Sequence, residues 1–331
     1  VAERSTEAPR AALVLHADCG RHDTGWGHPE HQGRLPAIVR AIEHDTPALL
    51  PWLRMHEARP AQMHELLRVH TTQHVDRLQQ LVRLAADRGQ LVEIEGDTVI
   101  SPASWDAAVA AAGCAIDAGR LVASGETATA FALCRPPGHH ATAERMMGFC
   151  LLNNVALAVR AVQAEFGLRR NLIVDWDVHH GNGTQDIFLE DPDVYYLSLH
   201  QWPWYPGTGA ADERGAGAGR GMTRNVPVAA GTGRGEYLRC FEAALAAALV
   251  DFSPEFIFVS AGYDCMAGDP LGDLLLEPAD LHAMTSAVLA RTRETAGGRV
   301  ACVLEGGYSP HRVGAGVIDT LRALCGLRPA D

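Results

Sequence analysis

The stretch DWDVHHGNGTQ, residues 175 to 185, follows the apolar run Leu172-Ile173-Val174 and sets two acids, two histidines and two glycines within nine positions. Side chains alternate along an extended chain, so Asp175, Asp177 and His179 would share one face. Carboxylates held that close repel unless a cation sits among them. A zinc-type divalent ion accepts oxygen and imidazole ligands, and a catalytic site keeps one position open for water. Asp177 and His179 supply two ligands. Asp264, at the end of FVSAGYD, is the preferred third, with Asp269 as the fallback. The plainer alternative is a polar loop in which Asp177 caps a turn.

Two further clusters bear on the same chemistry. In RPPGHHA, Pro136-Pro137 stiffens the entry, Gly138 permits close approach and His139-His140 follow. Imidazoles near a dication have depressed pKa values, which suits a base that must be neutral near pH 7. In EGGY, two glycines let the backbone bend so that the Tyr308 phenol reaches a cleft, where it would donate to an oxyanion. Singly these signals are weak, because histidine pairs often decorate surfaces and many tyrosines end strands.

The elements that must position them are legible as short apolar, β-branched runs at 11–16, 129–134, 171–176, 194–200, 255–262 and 299–307. Alanine- and leucine-rich helical patterns lie between most of them, at 103–124, 152–167, 235–251, 279–296 and 311–325. Continuous apolar strands alternating with helices predict an α/β fold, a largely parallel central sheet with helices on both faces. No repeat or linker divides the chain, and the Gly-rich 215–221 reads as a surface loop. A single domain over 1–331 is expected, with 1–10 as a loose N-terminal segment. Ligands in such sheets collect beyond the carboxyl ends of strands, where the acids, histidines and Tyr308 all fall.

The net charge of −12 argues against a direct nucleic-acid partner and leaves open a basic one, such as a lysine-bearing peptide or a polyamine. The eight cysteines form no C-x-x-C pair and mostly sit in apolar surroundings, as reduced core thiols do. VAERSTEAPR has no apolar targeting run, and no segment approaches 18 uninterrupted apolar residues. A soluble, cytoplasmic protein with no membrane partner is expected.

In order and spacing, RPPGHHA, GFCLLNN, DWDVHHGNGTQ, SLHQWPWYPGTG, SAGYDCMAGDPLG and LEGGY resemble the motifs of the zinc-dependent histone deacetylases, above all the class II enzymes and the bacterial deacetylase-like amidohydrolases. The resemblance runs from about residue 13 to 326. It implies the arginase–deacetylase fold and one catalytic Zn2+ on Asp177, His179 and Asp264. It makes His140 the general base and then acid, with His139 orienting and electrostatic, bonded to Asp175. Tyr308 becomes the transition-state tyrosine. A structural K+ would be held by Asp175, Ser198 and the backbone of Asp177, His179 and Leu199. Gly148, Phe149 and Tyr205 would wall a substrate tunnel with Leu271 at its rim.

Three details refine the resemblance. Asn182 stands where class I enzymes carry an aspartate beside the second histidine, which leaves His140 less basic. Tyr308 is a tyrosine, not the histidine of weakly active vertebrate class IIa enzymes. Leu271 replaces the glutamate that marks acetylpolyamine deacetylases. The segment HADCGRHDTGWGHPEHQGRL resembles the entrance loop of class IIa relatives, which contributes to a second, structural zinc; here it is expected to shape the tunnel mouth, with Arg34 facing the interior behind the metal.

The expected function is therefore removal of acetyl or other acyl groups from lysine side chains of a peptide or protein. The alternatives are a small-molecule deacetylase, such as an acetylpolyamine amidohydrolase, and a silent acyl-lysine binding protein. The family includes monomers, dimers and tetramers, so oligomerisation stays open.

Overall fold

In the computed structural model, which describes residues 10–330, the chain opens with strand β1 (Ala11–Leu15) and then helix α1 (Arg34–Leu49) and strand β2 (Leu53–Glu57). The short α2 (Met63–Leu66) and α3 (Thr72–Arg88) lead to a hairpin of β3 (Val92–Ile94) and β4 (Thr98–Ile100). From there α4 (Ser104–Ala123), β5 (Thr129–Leu133), α5 (Asn154–Phe166), β6 (Asn171–Asp175), α6 (Asn182–Ile187), β7 (Val194–Gln201) and β8 (Thr223–Val228) follow. The chain closes with α7 (Arg234–Asp251), β9 (Phe256–Ala261), α8 (Pro278–Thr295), β10 (Val300–Leu304) and α9 (Pro310–Leu324). The reading of 1–10 as a loose segment falls, except for residue 10, outside the described residues.

Eight strands form one sheet in the order β2-β1-β5-β10-β9-β6-β7-β8. Every ladder in it is parallel. Strands β5, β6, β7, β9 and β10 are buried along their whole lengths. That burial is why their sequences are continuous apolar runs, not alternating ones. α4 and α5 pack together against one face, while α1, α9, α8 and α7 neighbour one another in turn on the other. α4 is buried almost throughout, and its alanines let it lie close to β1, β5 and β10. A second apolar cluster fills the space between α2, α3, α4 and α5, with Leu66, Val75, Leu78, Val109, Ile116 and Leu157 at its centre.

All six strands and five helices expected from sequence form, with ends shifted by at most three residues. The expectation that the chain stays extended through His179 is corrected: β6 ends at Asp175. Beyond it each acid folds back on the backbone, Asp175 Oδ1 accepting from Asp177 N (3.1 Å) and Asp177 Oδ1 from His179 N (3.0 Å). Such local carboxylate–amide bonds turn the chain out of the ladder.

Strands β2 and β8 are edge strands and only partly buried, so they lack an apolar run. Helices α1 and α3 bury only a stripe, in α3 at Val75, Leu78 and Ala85. The β3–β4 hairpin turns at Glu95-Gly96, both with positive φ, a turn that pairs two short β-branched runs.

Candidate metal centre and active site

Strands β5, β10, β9 and β6 are adjacent and parallel, so their carboxyl ends open on one rim. The four polar clusters are the continuations of these four strands. Sheet order, invisible in the sequence, is what makes them neighbours.

Asp177, His179 and Asp264 are buried and present ligand atoms all within 4.8 Å of one another. His179 Nδ1 lies 3.0 Å from Asp177 Oδ1 and 3.4 Å from Asp264 Oδ2. Asp177 Oδ2 accepts from Gly306 N at 2.8 Å and Asp264 Oδ1 from Val178 N at 2.8 Å. Asp264 Oδ2 is buried with no hydrogen-bond partner. Any side chain at Gly306 would fill this cradle, since a Cβ there would stand 2.1 Å from that oxygen. Burial, then the neighbouring Asp177 charge, raises the Asp264 carboxyl to about 7. Two carboxylates that cannot comfortably ionise together, one with a free lone pair, and an imidazole between them suit a divalent cation of the zinc type. The fallback, Asp269, is spent elsewhere: its Oδ2 accepts from Tyr308 N at 2.6 Å and its Oδ1 from Leu271 N at 3.0 Å.

Of the histidine pair in DVHHGNG, only His179 joins the group. His180 bonds Thr208 Oγ1 and Gln185 Oε1. His139 and His140 lie beside it with ring centroids 4.1 Å apart. His139 Nδ1–H donates to Asp175 Oδ2 at 3.0 Å and His140 Nδ1–H to Asn182 Oδ1 at 2.8 Å. Burial opposes charge on both, but for His139 the Asp177 and Asp175 carboxylates outweigh it and raise the imidazole to about 10. For His140 burial, then the neighbouring His139 and His179, hold the pKa well below the usual value. The two rings are thus pushed in opposite directions, His139 up by the carboxylates around it and His140 down by burial and its imidazole neighbours. Asp175 also accepts from Tyr196 OH at 2.9 Å and stands opposite Ser198 in the β6–β7 ladder. Ser198 Oγ is 2.9 Å from His200 Nδ1.

A cavity of about 200 Å³ opens above these groups, lined by Asp97, His140, Gly148, Phe149, His179, Trp204, Tyr205, Leu271 and Tyr308. All four expected tunnel residues are among them. Phe149 holds a left-handed backbone (φ 67°), a rare state for an aromatic residue, anchored by its N–H to Thr98 Oγ1 at 3.1 Å. Its ring meets Tyr308 edge-on at 5.7 Å, and Tyr205 meets His140 edge-on at 5.1 Å. Tyr308 is buried; desolvation keeps its phenol protonated far above neutral pH.

Four contributors were not singled out by sequence reasoning. Glu305 is buried, and its Oε2 accepts from Gly138 N (2.7 Å) and His139 N (3.1 Å), its Oε1 from Ser260 Oγ (3.1 Å). An acid ending a fully apolar strand was the available signal. Asp97, on the β3–β4 turn, and Trp204 line the mouth, and Tyr196 braces Asp175.

Arg34 is buried with each guanidinium nitrogen donating one hydrogen bond, to Gly307 O (2.6 Å), Glu305 O (2.7 Å) and Glu30 Oε1 (3.0 Å), and lies over the Tyr308 ring at 5.0 Å. The entrance-loop histidines disperse: His16 caps its own turn, His22 meets Ser104, and His28 reaches Asp97 O while packing edge-on to Phe149. Cys19 lies beside Cys114, both as buried free thiols.

Rim chemistry of this kind on this sheet marks a hydrolase of amide bonds with the arginase–deacetylase fold. Comparison with known proteins narrows the class. The histone deacetylase domain family matches residues 28–324. The chain is 39% identical to histone deacetylase 14, chloroplastic, of Arabidopsis thaliana, over 96% of this chain and 77% of that protein. It is 38% identical to the histone deacetylase-like amidohydrolase of Pseudomonas aeruginosa, over 91% and 77% respectively. The crystal structure of the HDA15 HD domain superposes with a TM-score of 0.89 at 37% identity, covering 98% of this chain and 91% of that one. The chain belongs to the histone deacetylase family.

Proposed function

We propose that the protein is a zinc-dependent amidohydrolase that removes acetyl, and other short acyl, groups from the side-chain amine of acyl-lysine, acting as one catalytic domain over 1–331. The observation that supports this reading is the cavity's lining: a space of about 200 Å³ walled by Phe149, Trp204, Tyr205 and Tyr308 that reaches His179 of the acid–imidazole–acid group. Such an aromatic-walled cavity fits the methylene stem of a lysine whose acylated nitrogen carries no charge to desolvate.

Asp177, His179 and Asp264 would hold the zinc, which when bound polarises an amide carbonyl and acidifies water. His140, neutral and with Nδ1–H fixed on Asn182, takes a proton from the attacking water at Nε2 and returns it to the departing amine. His139, charged and bonded to Asp175, orients its neighbour and offsets the negative charge that develops. Tyr308 donates its phenolic proton to the developing oxyanion. Gly148, Phe149 and Tyr205 wall off water, and Leu271 closes the rim. A structural potassium ion beside Asp175, Ser198 and the carbonyls of Asp177, His179 and Leu199 would brace the loop. The seven buried, unpaired thiols suit a reducing compartment such as the cytoplasm. No helix among the described residues is long and apolar enough to cross a membrane.

Purified protein is expected to bind one zinc per chain and to cleave a fluorogenic acetyl-lysine peptide, with chelation abolishing cleavage. Activity that survives complete metal removal sinks the mechanism. A second reading, deacetylation of acetylpolyamines, is favoured by one feature, the Asp97 carboxylate at the mouth. Comparing kcat/KM for acetyl-lysine peptide and acetylspermidine separates the two. Leu271→Glu should shift preference towards the polyamine by offering its second ammonium an acid.

A further inference from the structure

The loop after β7 carries two consecutive aromatic residues with different surroundings. Tyr205 turns inward, its ring edge-on to His140 and, at 6.1 Å, to His179. Both are partly open to solvent, Trp204 at 40% and Tyr205 at 38%, and Trp204 lines the same cavity, so its ring forms part of the solvent-facing wall. Its indole N–H donates to Leu271 O at 2.8 Å, which ties it to the loop between β9 and α8. The bond spends the only polar atom of the side chain and fixes the ring. What remains facing solvent is carbon, held rigid at the point where a substrate chain must pass. A large apolar group ordered in water gains when something apolar covers it, and an immobile ring loses no rotamer freedom on doing so.

The charges nearby select further. Arg145, near Tyr205, is paired with Glu95 on the adjacent hairpin, so among the described residues it leaves no free cation at the mouth. The Asp97 carboxylate lines the mouth, fixed by the Thr98 hydroxyl at 2.7 Å, within a chain of net charge −12. An acidic group on the substrate would meet repulsion there without compensation.

We infer that Trp204, with Leu271, forms a subsite outside the tunnel for the residue next to the acyl-lysine, favouring a bulky apolar or aromatic side chain and rejecting an acidic one. This rests on the acyl-lysine reading above. It adds to it that the substrate is peptidic and sequence-selected.

The test measures kcat/KM on metal-loaded enzyme for blocked peptides with Phe, Gly, Lys or Asp on either side of acetyl-lysine, and for flank-free acetyl-lysine methylamide. Wild type is expected to favour Phe over Gly about tenfold on at least one side and to disfavour Asp. Trp204→Ala should reduce the Phe/Gly ratio below threefold. That ratio does not depend on the fraction of active enzyme. Trp26→Ala removes a tryptophan that is more exposed, at 71%, but does not line the cavity, and should leave the ratio intact. Equal rates for Phe and Gly, a preference that survives Trp204→Ala, or a Lys flank outrunning Phe each overturn the subsite while leaving the reaction standing. Failure to cleave any of these acetyl-lysine substrates, peptides and flank-free amide alike, overturns the acyl-lysine reading itself, and the subsite with it.

Discussion

At Tyr308 a single hydroxyl separates a phenol that can donate to an oxyanion from a ring that can only pack. Arg34 below the ring, Phe149 at its edge and Asp269 on its backbone N–H would all keep a phenylalanine in place. Tyr308→Phe should therefore lower kcat by roughly 10²–10³-fold with KM little changed, read by steady-state kinetics. Near-normal turnover would remove the role assigned to the hydroxyl. His140 offers a second test at this scale. Its Nδ1–H faces a neutral amide oxygen, so Asn182→Asp would put a carboxylate there and favour the imidazolium. The base must be neutral, so the acid limb of the kcat/KM–pH profile should move to higher pH. An unmoved limb would mean that another group titrates.

Among the elements, Glu305 binds three strand ends together through Gly138 and His139 after β5, Ser260 on β9 and its own β10. A glutamine can keep these bonds, its oxygen accepting the two backbone N–H groups and its amide donating to a reversed Ser260 hydroxyl. Glu305→Gln should retain most activity and stability, whereas Glu305→Leu strands buried donors and should cost about 3 kcal/mol or more, measured by urea unfolding. Equal losses in the two variants would show that the charge matters, not the acceptor. On the outer layer, Glu65 receives Arg59 (2.6 Å), Gln62 N (2.6 Å) and Arg120 (2.6 Å), joining α2 to α4. Burial opposes its charge, but these donors prevail and lower the carboxyl from its ordinary 4.5 to about 2. A depressed native pKa stabilises fully above the unfolded value and less as pH falls towards 2. Glu65→Gln should thus lower Tm at pH 7, and the gap to wild type should close between pH 5 and 2. A gap that stays constant with pH would contradict the ion-pair account.

For the molecule as a whole, the metal group couples chemistry to stability. It is assembled from the ends of β6 and β9, so whatever it binds joins the two strands. Stripping the metal leaves Asp177 and Asp264 facing one another, and Tm should fall by several degrees and recover with added zinc. A ligand at 1,000 times its Kd contributes about 4 kcal/mol. An unchanged Tm in metal-free protein would mean the group is not a binding site.

Much of this was legible in the chain. Central strands buried on both faces must be continuously apolar, so β5, β6, β7, β9 and β10 announced themselves, and the alanine-rich α4 did so by helix propensity. The ligand set and the tandem histidines could be named because their motifs sit directly at strand ends. Edge strands β2 and β8 and the one-sided α3 stayed hidden, since partial burial imposes no continuous pattern. Only the tertiary structure took Asp269 to the backbone of Tyr308 and Leu271 and His180 to Thr208 and Gln185, gave Glu305 its three donors and set Trp204 at the mouth. Those choices depend on which strand lies beside which and where each loop turns back. They are set by contacts between residues far apart in sequence, whereas local periodicity reports only whether a segment is buried.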